Sequence, residues 1–160
     1  MGEDGITIEG ERVERVIVDT YALMAAVFGE LPPRARQVLI GIREGRVEGL
    51  VPPTVPYEFA VHWLRGRIPG LTSLAEVMAF FSAYFSVIDF SLEDYVASAE
   101  LKVKGDEMLS SSGDSRMSGR RLSLVDASVI RAALRERAPV VTGDADLSHV
   151  AAKLGIAVIW

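Results

Sequence analysis

Short apolar runs alternate along this chain with longer stretches in which apolar residues recur at helical spacing. Val16, Ile17 and Val18 form a β-branched run bounded by polar residues, which is typical of a strand buried on both faces. Apolar residues four positions apart, such as Val38 and Ile42, instead indicate an amphipathic helix. The pattern predicts strands at residues 16–18, 50–51, 87–88, 140–141 and 156–159. It predicts helices at residues 21–28, 34–46, 54–66, 72–84, 92–103, 123–137 and 147–154.

The order of these elements predicts the fold class. Strands separated by helices favour a parallel sheet, because each parallel connection must return to the starting end of the sheet. We therefore expect an α/β fold: a Rossmann-like, three-layer α/β/α domain with a central, mainly parallel sheet of about five strands. We expect the polar residues 1–12 to form an N-terminal extension and residues 13–160 to form the domain itself. The segment from Gly105 to Arg121 is rich in Ser and Gly, lacks a clear period and predicts a long loop.

Composition narrows the class of protein. The 160 residues, of which 49% are apolar and 24% charged, suit one globular domain. No run approaches the roughly 20 apolar residues that span a bilayer, and the polar start lacks an export signal, so we expect a cytoplasmic protein without a membrane partner. The absence of cysteine excludes thiolate chemistry and makes carboxylates the main candidate metal ligands. A net charge of −5 disfavours a protein that coats nucleic acid.

Two aspartates follow predicted strands directly. Asp19 comes after the run 16–18, and Asp144 follows Val141 across two residues. Ligands of open α/β sheets bind beyond the carboxyl ends of the strands, so neighbouring strands would bring these two carboxylates together. The alternative is that each aspartate only caps the helix that follows it.

Asp126 lies on the apolar stripe of its predicted helix. It shares that face with Val129, Ile130 and Ala133, at offsets of three, four and seven residues. A carboxylate that faces a core must be paired, metal-bound or protonated, because an isolated buried charge costs several kcal/mol. The alternative is a capping box with Ser123, and both roles can coexist. Glu58 lies in the first turns of another predicted helix, where the pattern alone favours a surface glutamate.

Four short motifs occur in order on the predicted elements. They are VDT at 18–20, PYE at 56–58, LVDAS at 124–128 and VTGDADL at 141–147. Together they resemble the PIN-domain family, most closely the VapC-type toxin ribonucleases of VapBC toxin-antitoxin pairs. The similarity in spacing and element order runs from about Val16 to Ile159. The segment 105–121 departs from this resemblance, because it is longer and more polar than the compact connection usual in such toxins.

The resemblance implies a PIN fold and a divalent-metal-dependent endoribonuclease that hydrolyses RNA phosphodiester bonds. Such an enzyme would use Mg²⁺ or Mn²⁺, which prefer oxygen ligands and lower the pKa of bound water. It would act on RNA and would be held by a small antitoxin protein. The residues implied are Asp19, Glu58, Asp126 and Asp144 as catalytic metal-binding acids, Asp146 as a possible further ligand, and Thr142 as support for the site.

Basic and aromatic clusters suggest further contacts. Arg116, Arg120 and Arg121 precede the helix of Asp126 and are candidate ligands for RNA phosphates, although a solvated loop is an equal alternative. The cluster of Met78, Phe80, Phe81, Tyr84 and Phe85 exceeds what one amphipathic helix face requires, and we expect it to form a homodimer surface.

An alternative function is a catalytically weak or inactive PIN-like module that serves as a binding scaffold. In that case the acids would survive only as structural residues. Metal binding separates the two functions, because only the nuclease requires it.

Overall fold

The computed structural model describes residues 4–160, so that residues 1–3 of the predicted extension lie outside the described chain. The strands are β1 (Ile6–Ile8), β2 (Glu11–Val13), β3 (Arg15–Val18), β4 (Glu48–Val51), β5 (Phe85–Val87), β6 (Val140–Val141) and β7 (Val158–Ile159). The helices are α1 (Thr20–Val27), α2 (Pro33–Arg43), α3 (Thr54–Leu64), α4 (Leu74–Tyr84), α5 (Leu92–Ser110), α6 (Leu124–Glu136) and α7 (Ala145–Lys153).

A five-stranded parallel sheet in the order β5-β4-β3-β6-β7 carries the domain. Strand β3 is central, and Val16, Ile17 and Val18 are completely buried, as expected for β-branched residues covered on both faces. The chain runs from β3 to one edge through α1 to α4, and then to the other edge through α5 to α7. Since parallel crossovers are right-handed, the two helix groups cover opposite faces. The predicted α/β fold is confirmed.

The reversal in strand order places a topological switch point at the carboxyl end of β3. There α1 leaves towards β4, whereas α7 leaves the adjacent β6 towards β7. The loops that follow β3 and β6 therefore diverge and open a crevice between them. This is where the sequence places Asp19 and Asp144.

The predicted N-terminal extension contributes a small antiparallel hairpin of β1 and β2. Its two-residue turn, Glu9-Gly10, has positive φ at both positions (50° and 85°), as the right-handed strand twist requires. Ile8 and Val13 are buried against the core of the domain. The described part of this segment is therefore packed on the domain despite its polar sequence.

The prediction of a loop from Gly105 was wrong for its first part, because α5 continues to Ser110. Gly105 serves close packing here and does not end the helix. A β-carbon on it would lie 2.2 Å from the side chain of Leu122, and Leu109 one turn later is fully buried. The irregular segment is residues 111–123, and the boundaries of the other predicted elements differ from the observed ones by at most three residues.

The predicted dimer surface was wrong for Phe81, which is only 4% exposed. Its ring packs edge-to-face on Phe59, with 5.3 Å between the ring centroids. Met78 and Tyr84, which are 69% and 43% exposed, lie on the outer face of α4. The aromatic excess in this helix thus serves the core as well as the surface.

Helices α5 and α6 are joined by the buried carboxylate of Asp94. Arg131 Nε and Arg135 Nη1 donate to its two oxygens at 3.0 and 2.8 Å, and the Ser91 amide donates at 2.9 Å. The Ser91 amide and the two arginines lower the pKa of Asp94 to about 2, against the opposing effect of burial. A carboxylate whose pKa is lowered on folding stabilises the folded state above pH 4 and loses this effect as the pH falls towards 2.

We expect Asp94→Asn to lower the free energy of unfolding by about 2 kcal/mol at pH 7, because it leaves two arginines without their shared partner. The loss should shrink at pH 3, where wild-type Asp94 begins to be protonated. Urea denaturation at both pH values measures it. Glu93→Gln is the matched control, an exposed acid in the same turn without an ion pair among residues 4–160. Its effect should stay below about 0.5 kcal/mol, and equal losses for the two variants would contradict the assignment.

Candidate active site

Asp19 lies at the carboxyl end of the central strand. Val18 pairs with Val141, so the next residues of the two strands, Asp19 and Thr142, are neighbours. The Thr142 hydroxyl donates to Asp19 Oδ2 at 2.8 Å, and the Asp19 amide donates to the Val141 carbonyl at 3.2 Å. Asp19 is 3% exposed, and its side chain makes no capping hydrogen bond to α1. Helix capping therefore does not explain this carboxylate.

Asp126 and Asp144 are each held by a helix N-terminus. Asp126 Oδ2 accepts from the Ser123 amide, and the Asp126 amide donates to Ser123 Oγ, both at 3.0 Å. Asp144 Oδ2 accepts from the Leu147 amide at 2.8 Å. The capping roles anticipated for both residues are present. Both side chains are nevertheless half-buried and face the other acids, so capping orients them there.

Glu58 is positioned by a contact between α3 and α6. Thr54 does not cap α3; its buried hydroxyl lies 2.5 Å from Ser128 Oγ. Ser128 Oγ donates to the Val125 carbonyl, so the remaining bond is donated by Thr54. Glu58 follows Thr54 by about one turn, and Asp126 precedes Ser128 by two residues. No sequence pattern indicates this link, since small hydroxyl residues near helix starts are usually caps.

The four acids share one electrostatic environment. Burial and the charges of Asp126, Glu58 and Asp144 raise the pKa of Asp19 to about 7, although the Thr142 hydrogen bond opposes the shift. Burial, with the charges of Asp144 and Glu58, raises the pKa of Asp126 to about 6 against its hydrogen bonds from Ser123. The structure thus brings together Asp19, Glu58, Asp126 and Asp144.

The donor chemistry of this cluster fits a hard divalent cation. Asp19, Asp126 and Asp144 each use Oδ2 for their intramolecular hydrogen bond, while Oδ1 accepts none within residues 4–160. The Thr20 hydroxyl, next to Asp19, is buried without a partner among these residues. No three His, Asp or Glu side chains of residues 4–160 are gathered tightly enough to coordinate one ion. Because like charges repel, these carboxylates would approach one another more closely only with a cation bound or with one of them protonated.

Asp146 lies outside this cluster. Its buried carboxylate accepts from Arg120 Nε at 2.8 Å, and the acids that mainly raise the pKa of Asp19 and Asp126 are the other members of the cluster. The same ion pair fixes Arg120 to the domain. Arg116, whose side chain is 87% exposed, pairs with Asp114, and Arg121 is exposed. The three predicted RNA-binding arginines therefore differ in their contacts: Arg120 and Arg116 are ion-paired, and Arg121 is exposed.

The acidic cluster lies at the carboxyl edge of the sheet. A cavity of about 740 Å³ lies at the opposite, amino end of the strands, between the hairpin and residues 154–159. None of the four acids lines it.

Comparison with known proteins places this arrangement in a family. The PIN domain family model matches residues 16–153, which span all four acids. The chain belongs to the PIN-domain family. Members of this family are generally nucleases, which supports a hydrolase acting on nucleic acid.

Solved structures share the fold at low sequence identity. The crystal structure of VapBC2 from Rickettsia felis, bound to a DNA fragment from their promoter, is 14% identical with a TM-score of 0.60, and the match covers 90% of this chain and 96% of that chain. PAE2754 from Pyrobaculum aerophilum is 19% identical with a TM-score of 0.53, covering 84% and 82%. No curated protein matches the sequence. Within the described residues, no helix has the length and apolar character needed to cross a membrane.

The raised pKa of Asp19 predicts a pH-dependent stability cost. Because its folded pKa exceeds the unfolded value of 3.8, Asp19 favours the folded state while protonated and loses this effect as the pH rises towards 7. In metal-free buffer we expect Asp19→Asn to stabilise the protein at pH 8, by about 4 kcal/mol at most, and to change little at pH 4.5. Thermal unfolding at both pH values measures this.

Glu100→Gln is the control for this experiment, because Glu100 is exposed on α5. Its effect should be small and alike at the two pH values. A stabilisation by Asp19→Asn of the same size at pH 4.5 and pH 8 would show that the Asp19 charge is not the cause.

Proposed function

We propose that this protein is a divalent-metal-dependent endoribonuclease that hydrolyses RNA phosphodiester bonds. The observation that carries the proposal is the burial of Asp19 among three further carboxylates at the switch point of a PIN-domain sheet. A cluster of uncompensated like charges is unfavourable for folding, so its presence calls for a function that supplies a cation.

The residues of the cluster would divide the work as follows. Asp19, Asp126 and Asp144 would hold Mg²⁺ or Mn²⁺ through the oxygens that make no intramolecular hydrogen bond, with Glu58 on the α3 side. Thr142 orients Asp19, and the amides of Ser123 and Leu147 orient Asp126 and Asp144. When bound, the cation supplies an acidified water as nucleophile and offsets negative charge on the phosphodiester.

We further propose that the protein is the toxin of a toxin-antitoxin pair in the cytoplasm. Its support is the fold shared with VapBC2, which was crystallised as a complex of two proteins with promoter DNA. The partner proposed is a small antitoxin that covers the acidic edge. The homodimer stays a prediction, in which the exposed Met78 and Tyr84, and not Phe81, would form the contact.

A binding module without catalysis is the second candidate. It is favoured by the absence of a preassembled metal-ligand group in residues 4–160, and by the capping hydrogen bonds that give Asp126 and Asp144 structural roles. Such a module would keep both caps and bind no metal.

We expect Asp19→Asn and Asp126→Asn each to reduce Mn²⁺-dependent cleavage of a single-stranded RNA by roughly 100-fold or more, because each removes one charged ligand. Mn²⁺ should raise the melting temperature of the wild-type protein and not that of Asp19→Asn, since a ligand bound only by the folded state stabilises it. Glu100→Gln is the control acid outside the cluster. Retained cleavage by both folded aspartate variants would refute the nuclease, and absence of any Mn²⁺ shift in wild type would favour the binding module.

Arg116 and Arg121 are proposed as phosphate contacts, with Arg120 in a mainly structural role through Asp146. We expect the double variant Arg116→Gln/Arg121→Gln to weaken RNA binding and to lower the slope of log Kd against log salt by about 1.4, roughly 0.7 for each lost contact to a single strand. Arg36→Gln/Arg43→Gln removes two exposed arginines of α2 and should leave the slope unchanged. An equal decrease for both double variants would indicate a general charge effect.

A further inference from the structure

Trp160 lies in line with two residues of the acidic site. Strand β6 pairs with β3 through Val141 and Val18, and with β7 through Val141 and Ile159. The residues one step beyond these pairs are Asp19, Thr142 and Trp160. They therefore form a row along the carboxyl edge of the sheet, with an indole at the end of the row that begins at the buried carboxylate.

The chain makes room for this indole at Gly143. A β-carbon on Gly143 would lie 2.3 Å from Cε2 and 2.5 Å from Cζ2 of Trp160, well inside van der Waals contact. The φ of Gly143 is not in the left-handed region, so its backbone conformation does not require glycine. The indole lies close to the backbone directly before Asp144, and this close approach explains why residue 143 is a glycine.

Tyr21 completes an aromatic pair beside the acids. Its ring lies edge-to-face with Trp160, with 5.5 Å between centroids and 76° between planes. Tyr21 is two residues after Asp19 and 47% exposed, and Trp160 is half-buried. The Trp160 indole N–H has no acceptor within residues 4–160, whereas Trp63 Nε1 donates to the Leu71 carbonyl at 2.8 Å. Trp160 thus presents both ring surface and a hydrogen-bond donor near the site.

We propose that Trp160 and Tyr21 form a stacking platform for an unpaired nucleobase of RNA, next to the phosphodiester held at the acidic cluster. The proposal rests on the proposed nuclease function. A nucleobase has an uncharged face that stacks on aromatic rings whatever its sequence. Beside four carboxylates, such a contact provides affinity where phosphate groups alone are repelled. In a duplex the base faces are covered by neighbouring pairs, so the platform selects single strands.

The test compares steady-state cleavage of single-stranded RNA by wild type, Trp160→Leu and Gly143→Ala. Losing one base stack should raise KM by roughly 5- to 100-fold. Gly143→Ala displaces the indole and should raise KM in the same direction. Its effect should vanish in the double variant Gly143→Ala/Trp160→Leu, because the indole through which it acts is already gone. Tyr95→Leu, which removes a 39% exposed tyrosine from α5, is the control and should leave KM unchanged.

A binding measurement separates this proposal from the nuclease itself. Trp63→Phe leaves Trp160 as the only tryptophan, and a phosphorothioate-linked RNA with Mn²⁺ should quench its fluorescence when single-stranded and not when duplex. Cleavage by wild type with an unchanged KM in Trp160→Leu and Gly143→Ala would overturn the platform and leave the nuclease standing. Quenching without cleavage would overturn the nuclease and leave the platform standing. Equal quenching by single strand and duplex would overturn the proposed selectivity.

Discussion

The carboxylate of Asp19, buried at the end of the central strand, constrains how the sheet and the acidic site can be arranged. Asp19 is removed from water, and within residues 4–160 its one side-chain hydrogen bond comes from the hydroxyl of Thr142 on the adjacent strand. That bond exists only in the observed register of β3 and β6, because a slip by one residue would reverse the side-chain direction of the whole strand. The register of β3 and β6 therefore also determines where Asp19 lies in the site.

The other acids show how a folded protein tolerates like charges at close range. Asp126 and Asp144 each accept from backbone amides at a helix start, where the helix dipole also favours negative charge. A helix cap is worth about 1 kcal/mol, which partly offsets the mutual repulsion of the acids. Capping thus uses one oxygen of each carboxylate and leaves the other without a hydrogen-bond donor among residues 4–160.

The sequence was most informative where local chemistry and topology agree. The β-branched run before Asp19 predicted a buried strand, and the parallel order then placed Asp19 and Asp144 at one edge. The loop predicted from Gly105 was wrong because a glycine inside a helix resembles a helix end until its packing partner, Leu122, is known. The Thr54–Ser128 bond spans 74 residues and has no local signal. Glu58 depended on family resemblance, since its place beside the acids arises from helix packing.

Leu122 anchors the end of the irregular segment that follows α5. Its amide donates to Asp106 Oδ1 at 2.8 Å, its carbonyl accepts from Lys102 at 2.7 Å, and its side chain is buried on Gly105. The chain therefore leaves α5 and returns to it at a fixed point. Between Ser110 and the ion pair of Arg120 with Asp146, its length can change without shifting α6, since loop closure depends only weakly on length. Related chains can thus gain or lose residues here during evolution while the carboxylate geometry stays constant.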